Sequence, residues 1–212
     1  MGKYKNGILG AFSGKIGAVI GASWRGIDYM RGLPKISNKA PTTGQLTQRM
    51  KMSLLRGFLL EISEIIDICF QNYEQTSPMN GALSYNIKYS VSGEYPDAYI
   101  DFPNLVLSKG DLQGSWNPAV SSTEAQSIDF SWSNGPFSRL RDGEDQVLLI
   151  IYSQAKSSYV FLTSGGLRKD GTIRFTVEQA FSGDNVHCYL SFYSKELEMA
   201  STTEYLGEVT IM

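Results

Sequence analysis

The first 60 residues contain a single acid, Asp28, and the whole 212-residue chain contains one histidine and two cysteines. Each shortage excludes something. Cys69 and Cys188 lack CxxC spacing, so a zinc site has no ligand set; the two thiols read as small buried hydrophobes, with a disulfide left open. With His187 alone, on the outward face of an expected strand, a serine-histidine-acid triad has no support, and the expectation is a solvated strand histidine. Nucleophile elbow, Walker loop and HExxH are all absent. No run approaches the ~20 continuous apolar residues of a spanning helix. Lys3 and Lys5 ahead of 8–22 have the outline of a signal peptide, but Lys15 and repeated glycines interrupt the apolar run. The chain therefore reads as one made in the cytoplasm without a leader.

What is present is charge sorted by position. Residues 1–60 carry ten of the nineteen lysines and arginines, whereas residues 61–212 carry twenty acids against nine bases. The formal net charge of −2 thus conceals a basic arm and an acidic body. Such an arm works against something negative: nucleic acid, anionic lipid, or the acidic body of a neighbouring copy. Nucleic acid is disfavoured because the bases are spread singly, no helix-turn-helix, zinc-finger or RNP-like motif is present, and the body would repel a polyanion. The expected partner is protein, by self-association into a homo-oligomer or with other structural subunits.

Glycines at 7, 10, 14, 17 and 21 would line one helix face, but each interior glycine costs a helix about 0.8–1 kcal/mol relative to alanine. A hairpin suits the neighbours better: Ile16–Ser23 and Ile27–Met30 are strand-like runs around Trp24-Arg25-Gly26, where Gly26 can supply a positive φ. Lys15, Trp24, Arg25, Tyr29 and Arg31 are the candidate docking residues of this hairpin. A two-stranded ribbon is marginal in water unless it packs on a surface.

Thr42 and Gln45 form a Thr-x-x-Gln capping box ahead of apolar residues at helical spacing, Leu46, Met50, Leu54, Phe58, Ile62, Ile66 and Cys69. Arg49, Lys51 and Arg56 precede Glu61, Glu64 and Asp67, the wrong order for one helix dipole and the right order for two. Helices are expected over 43–58, 61–72 and 80–91. Beyond a turn-rich joint at 93–96 come short alternating runs at 99–107, 127–133, 146–153, 158–163, 171–177, 185–193 and 204–212, about seven strands, as in a β-sandwich. The run Val147–Ile151 is apolar on both faces, so Leu148 and Ile150 are expected to meet the helical layer or another subunit while Leu149 and Ile151 fill the sandwich. The expected fold is α+β: residues 1–95 a Gly-rich β-hairpin and short helices, residues 96–212 an antiparallel sandwich.

Two binding chemistries remain to be weighed. The loop 139–145 has three acids that could ligate calcium, but its two arginines and incomplete ligand series favour a charged hairpin loop. No metal, cofactor or catalytic site is expected, and the chain does not read as an enzyme. Tyr95, Tyr99, Trp116, Tyr152 and Tyr159 could form a glycan-binding platform if they cluster in the open; otherwise they are core residues.

The sandwich half resembles the immunoglobulin-like and fibronectin type III class, most specifically in Trp132 ending an early strand before a loop. It departs from that class in having no Cys-Trp-Cys arrangement and Val186 where a corner tyrosine would stand. The chain as a whole resembles an uncharacterised family widespread in Bacteroidota through the opening at 7–17, Trp-Arg-Gly-Ile-Asp-Tyr-Met-Arg at 24–31, the helix start at Asn38, Thr42, Gln45 and Gln48-Arg49, and Val-His-Cys-Tyr at 186–189. The glycine spacing and helix start are also similar to small structural proteins of bacteriophages. These resemblances imply a structural or assembly subunit in a phage-like or cell-surface setting; the alternative is an adhesion or glycan-binding module.

Overall fold

The computed structural model describes residues 2–4, 10–24, 26–35, 39–71, 76–136, 138–163 and 165–212. Packing divides the chain into two units, Met1–Pro41 and Thr42–Met212. The break falls well before the expected boundary at 95, because the helices share a core with the sandwich.

The first unit is a four-stranded antiparallel meander of β1 (Lys3–Tyr4), β2 (Phe12–Ile16), β3 (Val19–Trp24) and β4 (Ile27–Gly32). It is larger than the expected hairpin. The run 16–23 does not form one strand, since Gly17, at φ +58°, turns the chain with Ala18 between β2 and β3. Glycines 14 and 21 therefore pair across strands rather than lining a helix face, while Gly7 lies outside the described residues. At Gly21 a Cβ would sit about 2.7 Å from ring atoms of Phe12, so only glycine lets that ring lie across β3.

The second unit opens with α1 (Thr43–Leu60), capped as expected: the Gln45 amide donates to Thr42 Oγ1 at 3.4 Å and the Thr42 amide to Gln45 Oε1 at 3.2 Å. The charge reversal at Glu61 marks a real break, and α2 (Ser63–Cys69) follows; position 72, its expected end, lies outside the described residues. Next, α3 (Pro78–Tyr89) begins with Ser77 accepting from the Asn80 amide, which shifts it two residues ahead of expectation. Val91 starts not a last helical turn but β5 (Val91–Ser92), paired with β6 (Tyr99–Ile100). The expected strand 99–107 stops there, because Phe102–Asn104 winds into a 3₁₀ turn and the chain then crosses irregularly to residue 115. Buried Asn86 holds this connector: its amide donates to the Ala82 and Val106 carbonyls at 3.0 and 2.7 Å, while its oxygen accepts from Val106 N at 2.8 Å and Ser90 Oγ at 2.9 Å.

The sandwich follows. One sheet is β11 (Thr172–Thr176), β8 (Ser127–Ser133) and β7 (Trp116–Ser121), of which β7 was unforeseen. The other joins β10 (Ser158–Leu162), β9 (Gln146–Ser153) and β12 (Asn185–Ser194), with β13 (Met199–Ala200) and β14 (Glu204–Thr210) both on the far side of β12. Side chains alternate between faces along each strand, which separates two cores. Ile128, Phe130, Val147, Leu149, Ile151, Cys188 and Leu190 fill the space between the sheets. Leu148, Ile150 and Tyr189 face the other way, against Leu55, Leu59, Ile66 and Leu83 of the helices. The two-sided apolarity of 147–151 has this cause, and burying each such side chain is worth ~1.5–3 kcal/mol. Cys69 and Cys188 are free and buried, one in each core.

The same helical cover corrects the reading of His187. It is 7% exposed, stacked on Phe102 with ring centroids 4.0 Å apart, and its Nδ1 lies 3.0 Å from the Tyr205 hydroxyl. A strand face that seemed open in sequence is roofed by the turn at 102–104.

Candidate functional site

The register of the first unit decides which arm residues act together. Lys15 pairs with Ile20 and Ile20 with Arg31, so these three stand in a row across β2, β3 and β4. Ala22 pairs with Tyr29 and Trp24 with Ile27, two and four residues farther along β3 and on the same face. Adjacent strands lie ~4.8 Å apart, which places the Cα atoms of Lys15 and Arg31 about 10 Å from one another. Lys15, Trp24, Tyr29 and Arg31 thus share one sheet face. Arg25, at the turn, lies outside the described residues. Asp28, the unit's one acid, pairs with Ser23 on the opposite face.

This sheet is open. Trp24, Ile27, Tyr29 and Met30 are 56%, 65%, 44% and 72% exposed, and every residue of β4 is exposed. The described residues of the unit form no cluster of buried hydrophobic side chains of their own. Leu148 and Ile150, by contrast, are buried beneath the helices of their own chain.

The second unit has a cleft of its own, about 530 Å³, between the end of α1, β6 and the β9–β10 turn. Phe58 comes from α1, Tyr99 from β6, Phe102 from the 3₁₀ turn, Tyr152 from β9 and Tyr159 from β10. Tyr152 and Tyr159 pair across the strands, and Phe58 stands edge-on to both at 4.7 and 5.1 Å. Glu61, Gln154 and Ser157 add polar groups. The Tyr159 hydroxyl is buried without a hydrogen-bond partner among the described residues, and burial, then the neighbouring tyrosines and Glu61, push its pKa well above the usual 10. It stays a neutral phenol.

Of the five aromatics proposed for a glycan platform, Tyr99, Tyr152 and Tyr159 converge here while Tyr95 and Trp116 do not. Phe58, Phe102 and Glu61 were missed as site residues. Phe58 fits the apolar helical period, so periodicity assigns it to the core, and Glu61 marks the helix break; only the crossing of α1 over β9 and β10 joins them.

The charged loop 139–145 is built around an ion pair. Arg168 Nε lies 3.0 Å from Asp145 Oδ2, with both side chains 1% exposed. Arg168 donates to the Gln113 and Gly114 carbonyls at 2.5 and 3.2 Å, its guanidinium covers the Phe192 ring at 3.8 Å, and its own carbonyl accepts from Trp132 Nε1 at 2.9 Å. Asp145 also accepts from the Asp142 amide at 2.9 Å, and Glu144 pairs with Lys169 at 2.6 Å. These acids are committed to holding loops.

The model of a family described as "Family of unknown function (DUF6266)" matches residues 11–207. No curated protein matches the chain. Among solved structures, the fn3 domain of human collagen alpha-1(XX) chain is similar over 47% of this chain and 87% of that one, at 14% identity and a TM-score of 0.33.

Proposed function

The chain belongs to that family of unknown function, and we propose that it is a non-enzymatic structural subunit whose basic N-terminal sheet docks on neighbouring protein. One observation carries the reading: a four-stranded sheet gathers Lys15, Arg31, Trp24 and Tyr29 on one exposed face without a hydrophobic core of its own. A sheet of this size gains stability by covering a face, and exposed aromatics beside cations are the composition of interface anchors. Charge selects the partner. Residues 1–41 hold seven bases and one acid, and residues 42–212 hold twelve bases and twenty acids, so the acidic unit of a second copy is the complementary surface. The one histidine supports a non-catalytic reading, since it is held between Phe102 and Tyr205.

Sedimentation velocity tests this on the intact chain, a Lys15→Glu/Arg31→Glu variant and a Trp24→Ala variant. The intact chain is expected to associate at low salt and to dissociate as salt screens the contact, with both variants shifted toward monomer. A chain that stays monomeric at high concentration and low salt, or variants that associate as the parent does, would remove the proposal. Negative-stain images of the associated form would distinguish a phage-like from a cell-surface assembly.

A further inference from the structure

We propose that the aromatic cleft of the second unit binds a small organic cation of the quaternary ammonium type. Five rings line it, and among the described residues its one formally charged lining group is the Glu61 carboxylate, with no lysine or arginine beside it. Faces of tyrosine and phenylalanine attract a cation within about 6 Å of the ring centroid, most strongly where water is thinned out. A neutral or anionic ligand gains nothing from this charge pattern.

Three further features point the same way. The last turn of α1 has no basic residue, so the negative end of its dipole, at Leu60–Glu61, is left for another cation to complement. The lysine of the β9–β10 turn, Lys156, is drawn off to the Asp184 carboxylate and lies over Phe181, leaving Gln154 and Ser157 as the turn's contribution. The unit as a whole carries twenty acids against twelve bases, which raises the local concentration of cations.

The cleft also defines what else the ligand should carry. The Tyr159 hydroxyl, buried and without a hydrogen-bond partner among the described residues, lies behind the ring wall, so the polar contacts open to a ligand are those of Glu61, Gln154 and Ser157. A ligand with a hydroxyl a short chain away from its ammonium can bond Gln154 or Ser157 while the cationic head rests on Phe58 and Tyr99. The packed trio of Phe58, Tyr152 and Tyr159, with centroids 4.7–5.1 Å apart, is too tight to admit a group between its rings, so it forms a wall. Tyr99, 60% exposed, is the outer face.

The test is titration of the intact protein with choline and with 3,3-dimethylbutan-1-ol, its isostere lacking only the charge, followed by NMR of the tyrosine ring signals. Choline is expected to saturate and the alcohol to bind about tenfold more weakly or not at all, with Glu61→Gln and Tyr99→Ala each weakening choline by about three- to tenfold. Both substitutions fall on exposed side chains, so folding is checked by an unchanged melting curve. Co-sedimentation with phosphatidylcholine vesicles separates sources: binding there in addition assigns the cation to a lipid headgroup, and binding of choline alone assigns it to a free solute. Equal affinity for the alcohol, choline affinity indifferent to Glu61→Gln, or saturation by neutral oligosaccharides instead would overturn the proposal.

Discussion

Arg168 and Asp145 face one another at 3.0 Å in the interior of the second unit, each side chain 1% exposed, and the residues they hold, Gln113 with Gly114, Trp132, Asp142 and Phe192, come from four separate stretches of chain. Desolvation lowers the Arg168 pKa and the Asp145 carboxylate opposes that loss. Removing one member of such a pair leaves a buried charge without its counterion, which costs about 3–5 kcal/mol. Asp145→Ala is therefore expected to lose that much in urea unfolding, and adding Arg168→Met is expected to restore part of it. A double variant less stable than the single one would contradict this account.

His187 gives the fold a pH dependence of known sign. Burial depresses its pKa below the ordinary 6.5, against a weaker upward pull from Glu208. A base with a depressed folded-state pKa binds its proton more readily when unfolded. Its contribution is fully present above pH ~6.5 and declines as the pH falls through that value toward the folded-state pKa. Unfolding free energy should therefore fall between pH 7 and 5.5, above the carboxylate range, and a His187→Gln chain should be flatter over the same interval by chemical denaturation.

Both thiols should be silent in the folded protein. Burial pushes Cys69 and Cys188 each to about 12, so neither supplies thiolate at pH 8. Ellman's reagent is expected to report no fast-reacting thiol in the native chain and two in denaturant. A single fast thiol would indicate that one core opens locally.

Gly21→Val should damage the arm alone. The added side chain meets the Phe12 ring and the Phe12 carbonyl oxygen, so β2 and β3 can no longer close on each other. Signals of 10–35 are expected to collapse in amide NMR while the thermal transition of the second unit is unchanged, because that unit builds both of its hydrophobic cores from its own residues, Leu55 to Ile211. Leu148→Ala is the counterpart in the body, where a vacated site between sheet and helices should cost about 2–5 kcal/mol.

Local rules accounted for what depends on neighbours in sequence. Thr42 and Gln45 fixed the start of α1, the charge order around Glu61 fixed its end, alternation fixed β8, β11 and β12 to within a residue or two, and a continuous apolar run marked β9. Apolarity on both faces of 147–151 even required two cores. The strand at 116–121 escaped because Pro118 and the positive φ of Asn117 break its alternation. Tyr99–Leu107 misled because apolar residues at a connector look like strand residues when the helices they serve are out of view.

The sequence by itself determined the basic and acidic halves, the capping box, the alternating strands and the absence of paired metal ligands or nucleophile motifs, since these are properties of residues a few positions apart. Only the tertiary structure decided that Lys15 and Arg31 share a face, that Arg168 finds Asp145, that His187 is roofed by Phe102, and that Glu61 joins a ring-lined cleft. Each of those depends on strand register or on the path of a helix over a sheet, and both are fixed by how large side chains from distant segments fill one another's space.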